Sequence, residues 1–381
     1  MKPLLCCGAP FSMEHSSEKL IYGYSTTDEP KSRLYSVAKQ SLFRLAKGTG
    51  LYGLARRRTR RGLRILCYHA FSIEDEYSFR PRLFMQASTF RRRMAYLHRN
   101  AFPVLSLDEA LDRLDADTLP CGSTVITIDD GFYSVYRHAL PILQEFSFPA
   151  TLYVATRDFL RAQPIFRLVV QYMFWKSSQA FLDSSGLMDG PQSPISLNSE
   201  EERHRIMWQI VRFGDALETD EERSSLASKL GERLGSNYRE IVRKRLFSLV
   251  TSEELDVITG SRIQVQLHTH THQLPEDRGL ADQEIRDNRE TLMRYANSPL
   301  QHFCYPSGIW NKGHWPLLKA ANIRSATTCK PGLNYPDTPR LALNRFLDGD
   351  DILPVEFEAE MSGFADVMRL AHAGLTRGQS P

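Results

Sequence analysis

Residues Thr124-Val125-Ile126-Thr127-Ile128 restrict the possible folds of this chain more than any other segment. All five are β-branched, and the run stops abruptly at Asp129-Asp130-Gly131. A strand with one wet face alternates apolar and polar residues. An unbroken run of this kind belongs to a strand covered on both faces, the usual state of a parallel sheet flanked by helices. Further candidate strands lie at residues 64–68, 103–105, 150–154, 263–267 (which alternates), 302–305 and 325–328. Helix-patterned stretches at 90–99, 107–114, 136–146 and 282–295 separate them. The alternation predicts an α/β fold, with a parallel sheet either open or closed as a barrel.

Between residues 159 and 260 the alternation lapses into charged, helix-prone sequence, which reads as a helical insertion at about 160–260. The chain then divides into a basic, partly disordered segment (1–62, with 1–40 poorly ordered), a main domain (63–350) and a tail (351–381) that holds one amphipathic helix. Hydrophobic residues make up 42% and charged residues 24%, as in globular proteins. No run approaches the roughly 20 apolar residues of a membrane span. The most apolar helical stretch, 165–175, is interrupted by Arg167 and Gln171 and reads as a buried helix.

The brief apolar run at 4–11 meets Glu14, His15 and Glu18, unlike a secretory signal. Cys6, Cys7, Cys67, Cys121, Cys304 and Cys329 lack paired spacing and read as reduced thiols. Both features predict a cytoplasmic location, with association at the inner membrane surface as a variant. That variant rests on charge. Residues 1–64 hold thirteen Lys and Arg against four Asp and Glu. A basic cluster at 55–64 follows an amphipathic stretch at 41–47, so residues 41–64 read first as a solvated linker, with peripheral contact to anionic lipid as the alternative. Nucleic acid is not expected, because no aromatic residues interleave the arginines.

Chemistry concentrates at two strand ends. At the first, Asp129 and Asp130 leave a buried strand at a glycine, so one carboxylate can hold a cation while its neighbour stays free as a base. An Asp-Gly turn with capping acids is the plain alternative. At the second, His268, His270 and His272 follow residues 263–267. His268 and His272 share a face whether the segment stays extended or turns helical, whereas His270 joins them only in a strand. Two imidazoles and a carboxylate make a three-ligand metal site with an open position.

Thr127-Ile128-Asp129-Asp130-Gly131 resembles the Thr-Phe-Asp-Asp-Gly motif of polysaccharide deacetylases, the family-four carbohydrate esterases with a chitooligosaccharide-deacetylase homology domain. His268 to His272 resembles that family's His-Ser/Thr-x-x-His motif, and Cys304 to Gly308 its Tyr-Pro-x-Gly motif. The resemblance covers roughly residues 63–350. It implies a distorted (β/α) barrel of about seven strands and hydrolysis of N-acetyl groups on amino sugars of a glycan or glycan precursor. It also implies a divalent ion, zinc first with cobalt, nickel or iron as alternatives, held by Asp130, His268 and His272. Asp129 would be the general base. Ile65 to His69 resembles the opening Tyr-His motif of permuted members, which makes His69 the general acid.

The arginine that other members place in the third motif to orient the base is absent here. Arg345 is the substitute from another strand, with a surface charge as the alternative. Tyr133, Tyr305 and Trp310 are the aromatic residues assigned to sugar contact, and a backbone N–H near Phe132 or Tyr133 to the oxyanion. Other reactions within reach of such a site are hydrolysis of another linear amide or an O-acetyl ester. A non-catalytic carbohydrate-binding role is the remaining alternative, and retention of both aspartates and both histidines argues against it.

Overall fold

A computed structural model describes residues 30–161, 163–188 and 194–377. Seven strands form its main sheet: β1 (Arg64–Tyr68), β2 (Thr124–Ile128), β3 (Ala150–Val154), β4 (Ile263–Leu267), β5 (His302–Cys304), β6 (Ser325–Thr327) and β7 (Phe346–Leu347). Every neighbouring pair is parallel, in the order β6-β5-β4-β3-β2-β1-β7. The approach to β7 closes the curl. Leu343 pairs with Thr327 at the far edge, donating its N–H to Ala326 O and accepting from Thr328 N–H, both at 2.9 Å. A single segment therefore touches both edges of the sheet, which makes a distorted (β/α) barrel of seven strands.

Every residue of β1, β2 and β3 is buried, as their unbroken apolar character demands. The threonines within them remain satisfied; Thr127 Oγ1, for example, donates to Leu66 O at 2.7 Å. One expected strand is replaced. Residues 103–105 form no strand, and Val104 makes only a bridge to Thr124. Pro103 has no N–H to give a ladder. The seventh position goes to Phe346–Leu347, two residues that are too short to show a pattern.

Helices α1 (Pro30–Gly48) and α2 (Leu51–Arg58) precede β1. α1 begins inside the stretch where composition predicts little order, and it is held by packing. Phe43 and Ala46 of α1 and Ala55 of α2 meet Ala359, Phe364 and Ala365 near the C-terminus. The remainder of that stretch, residues 1–29, lies outside the described residues. Helices α3 (Ala87–Arg99) and α4 (Leu107–Asp115) link β1 to β2. The expected helix at 136–146 divides into a π-helical turn (Val135–Ala139) and α5 (Leu140–Glu145). Such turns widen a helix and are common beside functional sites.

Between β3 and β4 lie α6 (Phe166–Lys176), α7 (Glu200–Asp215), α8 (Asp220–Leu234) and α9 (Tyr238–Arg243). Leu168 to Phe174 of α6 are buried throughout, so Gln171 is carried inside and accepts a hydrogen bond from Arg80. Further on, α10 (Arg278–Leu292) follows β4, starting four residues before the expected boundary because Asp277 caps it by accepting from Leu280 N–H. Helices α11 (Pro354–Met361) and α12 (Phe364–Arg377) follow β7, two helices where one is expected.

Candidate active site

The C-terminal ends of β1, β2, β4 and β5 converge on one pocket, where the chain geometry is unusual. Asp129 still follows the ladder, donating its N–H to Tyr68 O at 2.9 Å. Asp130 and Gly131 then take left-handed φ values of 71° and 86°. Gly131 has little room for a side chain, since a Cβ there would lie 3.2 Å from Val154. The double reversal sends adjacent carboxylates to different partners. After β4, Thr269 and His272 also have positive φ, 64° and 59°. Such φ values are uncommon outside glycine and least expected for the β-branched Thr269, and each such residue costs on the order of 1–3 kcal/mol.

Two side chains hold this strained loop. His268 N–H donates to Asn288 Oδ1 at 3.0 Å, and Asn288 Nδ2 ties back to Val154 O and Thr156 Oγ1. Glu284 accepts from Thr271 N–H at 2.7 Å and from Thr271 Oγ1 at 2.6 Å. Asn288 and Glu284, both on α10, are part of the site that strand-end motifs do not reveal. Their only signal is helical spacing of i, i+4 towards the strand ahead of them.

The strain is matched by convergence. Asp130 Oδ1 lies 3.2 Å from His268 Nε2 and 3.3 Å from His272 Nε2. Asp130 Oδ1 is buried without a hydrogen-bond partner, an expensive state unless a cation sits nearby. Ligand bonds of about 2.0–2.1 Å at tetrahedral angles put donor atoms roughly 3.3 Å apart, so these spacings fit a divalent ion. His268 Nδ1 faces Cys304 O at 2.9 Å, which directs Nε2 into the site. Burial works against ionisation of Asp130, yet the two imidazoles beside it hold it well below the usual carboxylate range. Burial likewise opposes protonation of His268, but neighbouring Cys304 and Asp130 turn its shift upward. His270 faces away from this cluster, with Nδ1 on Thr156 Oγ1 at 2.9 Å.

Two further groupings lie close by, Cys67/His69/Asp129 and Asp129/His268/Cys304. Both share Asp129, whose oxygens are already committed. Arg345 Nη1 and Nη2 each reach one of them at 2.8 Å in a two-pronged ion pair. Arg345 is fully buried and donates its Nε–H to Thr328 O at 2.9 Å. Its surface alternative is therefore excluded. Burial alone would push the Asp129 carboxyl up, but the guanidinium prevails and holds it at about 2. The Cys67 and Cys304 thiols sit 3.6 and 3.4 Å from Asp129 Oδ2, and burial pushes the Cys67 thiol well up, keeping it neutral. The Asp130 grouping is the one with free lone pairs for a cation.

His69 follows β1 and places Nε2 3.7 Å from Asp129 Oδ2, with its side chain 18% exposed. Its Nδ1 is buried without a partner. Burial lowers its pKa, against the pull of Asp129 and Asp130. A cleft of about 720 Å³ opens from Asp130 and His272, in the range of small-molecule sites. Phe132, Leu274 and Ile309 form its apolar wall, while Arg167, Asp215 and Arg223 come from the insertion.

The aromatic assignments are corrected. Tyr305 is wholly buried and donates its hydroxyl to Leu341 O at 2.9 Å, so it cannot meet a sugar. Trp310 stacks between Tyr305 and Trp315, at ring distances of 5.7 and 5.9 Å, and is not part of the cleft lining. Arg245 covers Tyr133, 3.7 Å from the ring centre. The Tyr133 N–H is spent on Ser248 O at 2.8 Å, which removes it as an oxyanion donor.

No protein-family model matches the chain. Over 80 residues it is 31% identical to the poly-beta-1,6-N-acetyl-D-glucosamine N-deacetylase of Escherichia coli (strain K12). That match covers 21% of this chain and only 12% of the relative. The fold is that of the Streptococcus pyogenes deacetylase PplD, at 17% identity and a TM-score of 0.53, covering 79% of this chain and 98% of that one. It is likewise similar to a de-N-acetylase from Aggregatibacter actinomycetemcomitans, at 12% identity and a TM-score of 0.50, covering 78% and 99% of the two chains. This chain shares the fold of these deacetylases. The paired carboxylates follow β2 and the two histidines follow β4, and the arginine that grips Asp129 comes from the residue before β7.

Proposed function

We propose that this chain is a member of the polysaccharide deacetylase family and a metal-dependent hydrolase that removes N-acetyl groups from amino sugars of a glycan or glycan precursor. The observation that carries the reading is the division of labour between adjacent acids. Asp130 turns to two imidazoles with an unsatisfied oxygen, while Asp129 is locked by Arg345 beside them. Asp130, His268 and His272 would hold the ion. A divalent ion there supplies Lewis acidity, lowering the pKa of water and polarising an amide carbonyl.

Asp129 accepts the proton of the attacking water. Its carboxylate is ionised at pH values above about 2, so it is available as a base, and Arg345 fixes its position beside Asp130. Its low basicity leaves the acidity of the water to be supplied by the site. The Phe132 amide, on the cleft wall beside the reversed Asp130-Gly131 turn, is the remaining backbone donor for the developing oxyanion. His69 delivers a proton to the departing amine, which cannot leave as an anion. The name of the Escherichia coli relative, a poly-beta-1,6-N-acetyl-D-glucosamine N-deacetylase, supports the substrate class.

Acetate release from N-acetylglucosamine oligomers, measured with chelator and after metal return, tests the proposal. Activity that chelator abolishes and metal restores is expected. Activity indifferent to chelator would remove the metal from the mechanism. Oligomer binding without acetate release would leave a carbohydrate-binding protein instead.

A further inference from the structure

Residues 30–73 carry eleven Lys and Arg and neither Asp nor Glu. Helices α1 and α2 pack as a hairpin about Thr49 and Gly50, with Gly50 at a φ of 79°. The inner face is anchored. Phe43, Ala46 and Ala55 pack against α11 and α12, and Lys39 and Lys47 pair with Glu356 and Glu358. The outer face is left over. Leu45 and Leu54 are 65% and 62% exposed, with Leu42 and Leu51 exposed beside them. Of the sixteen large hydrophobic side chains exposed among the described residues, seven lie on α1, α2 and α12. Singly scattered leucines need no explanation, but a cluster on one flank does.

The cations of this flank complete the pattern. Arg44, Arg57, Arg58 and Arg60 are exposed, and none has an anionic partner among the described residues. We infer that the outer face of the α1–α2 hairpin docks on an anionic phospholipid surface. Aliphatic side chains spaced i, i+3 enter the acyl boundary while guanidinium groups meet lipid phosphates. A second copy of this chain is a poor occupant, because the face would bring cations against cations. Among the described residues no helix is long and apolar enough to cross a membrane, so the contact is peripheral. The inference does not depend on the hydrolase reading, and its test reads binding rather than turnover.

The test is sedimentation of the full chain with phosphatidylcholine vesicles, with and without phosphatidylglycerol. Binding is expected only with phosphatidylglycerol and should weaken as salt rises. Combining Arg57→Glu, Arg58→Glu and Arg60→Glu should weaken partition on the order of a hundredfold or more. Combining Leu42→Ser and Leu45→Ser should weaken it about tenfold. All five side chains are exposed, so unchanged melting curves are expected to confirm native folding of both variants. Failure of the intact chain to bind, binding without phosphatidylglycerol, or unchanged binding by folded variants would overturn the inference. So would a concentration-dependent dimer that Leu42→Ser and Leu45→Ser dissolve.

Discussion

Arg345 and Asp129, 216 residues apart in sequence, meet through two parallel hydrogen bonds of 2.8 Å inside the barrel. Both are buried, so each neutralises a charge that the interior would otherwise reject. Arg345→Ala strands the carboxylate, and a loss of about 3–5 kcal/mol in denaturant unfolding is expected. Acetate release should fall about a hundredfold or more, because the base loses its aim. Arg345→Lys keeps the charge without the fork and should recover stability in part while activity stays low. Full activity in the lysine variant would show that charge alone suffices.

The adjacent aspartates should fail in different ways. Asp129→Asn is expected to retain bound metal and lose roughly 10²–10⁴ in kcat, the usual worth of a general base. Asp130→Asn should emerge from purification depleted of metal. Elemental analysis beside the rate assay separates the two outcomes, and equal metal loss in both variants would refute the division of roles.

His69 can be tested through the leaving group. An amine must be protonated to depart, whereas a nitrophenolate departs unaided. His69→Ala should therefore lower amide hydrolysis roughly 10²–10⁴-fold and affect a nitrophenyl acetate much less. Parallel losses on both substrates would make His69 structural.

Away from the site, burial raises the Asp348 carboxyl to about 6 despite the pull of Arg93. The native state then holds this proton more tightly than the unfolded chain, whose carboxyl titrates near 4. The stabilising contribution is complete below about pH 4 and disappears as pH rises through about 6, a change of roughly 2–3 kcal/mol. Asp348→Asn should flatten that part of the stability profile in urea titrations at several pH values. An unaltered slope would mean Arg93 keeps the carboxylate ionised throughout.

Much of this arrangement is legible residue by residue. Strands β2 and β3 announce themselves through near-continuous β-prone runs and β4 through its alternation, and such patterns need no knowledge of their neighbours. The acids at 129–130 and histidines at 268–272 are legible because a strand end concentrates chemistry into consecutive residues. β7 escapes notice at two residues, and residues 103–105 imitate a strand without forming one. Tyr305 and Trp310 mislead for a related reason: an aromatic side chain near a motif looks the same in sequence whether it faces a cleft or a core.

Most of the strand–helix alternation, the candidate site residues after β2 and β4 and the basic bias ahead of β1 follow from the sequence alone, since each depends on composition or on spacing within a few residues. Which side chains meet was decided by tertiary structure. Arg345 finds Asp129, and Asn288 secures His268, only because curling the sheet brings β7 beside β1 and lays α10 against the ends of β3 and β4. Such contacts arise from closure of the barrel, a property of the whole chain that no local stretch encodes.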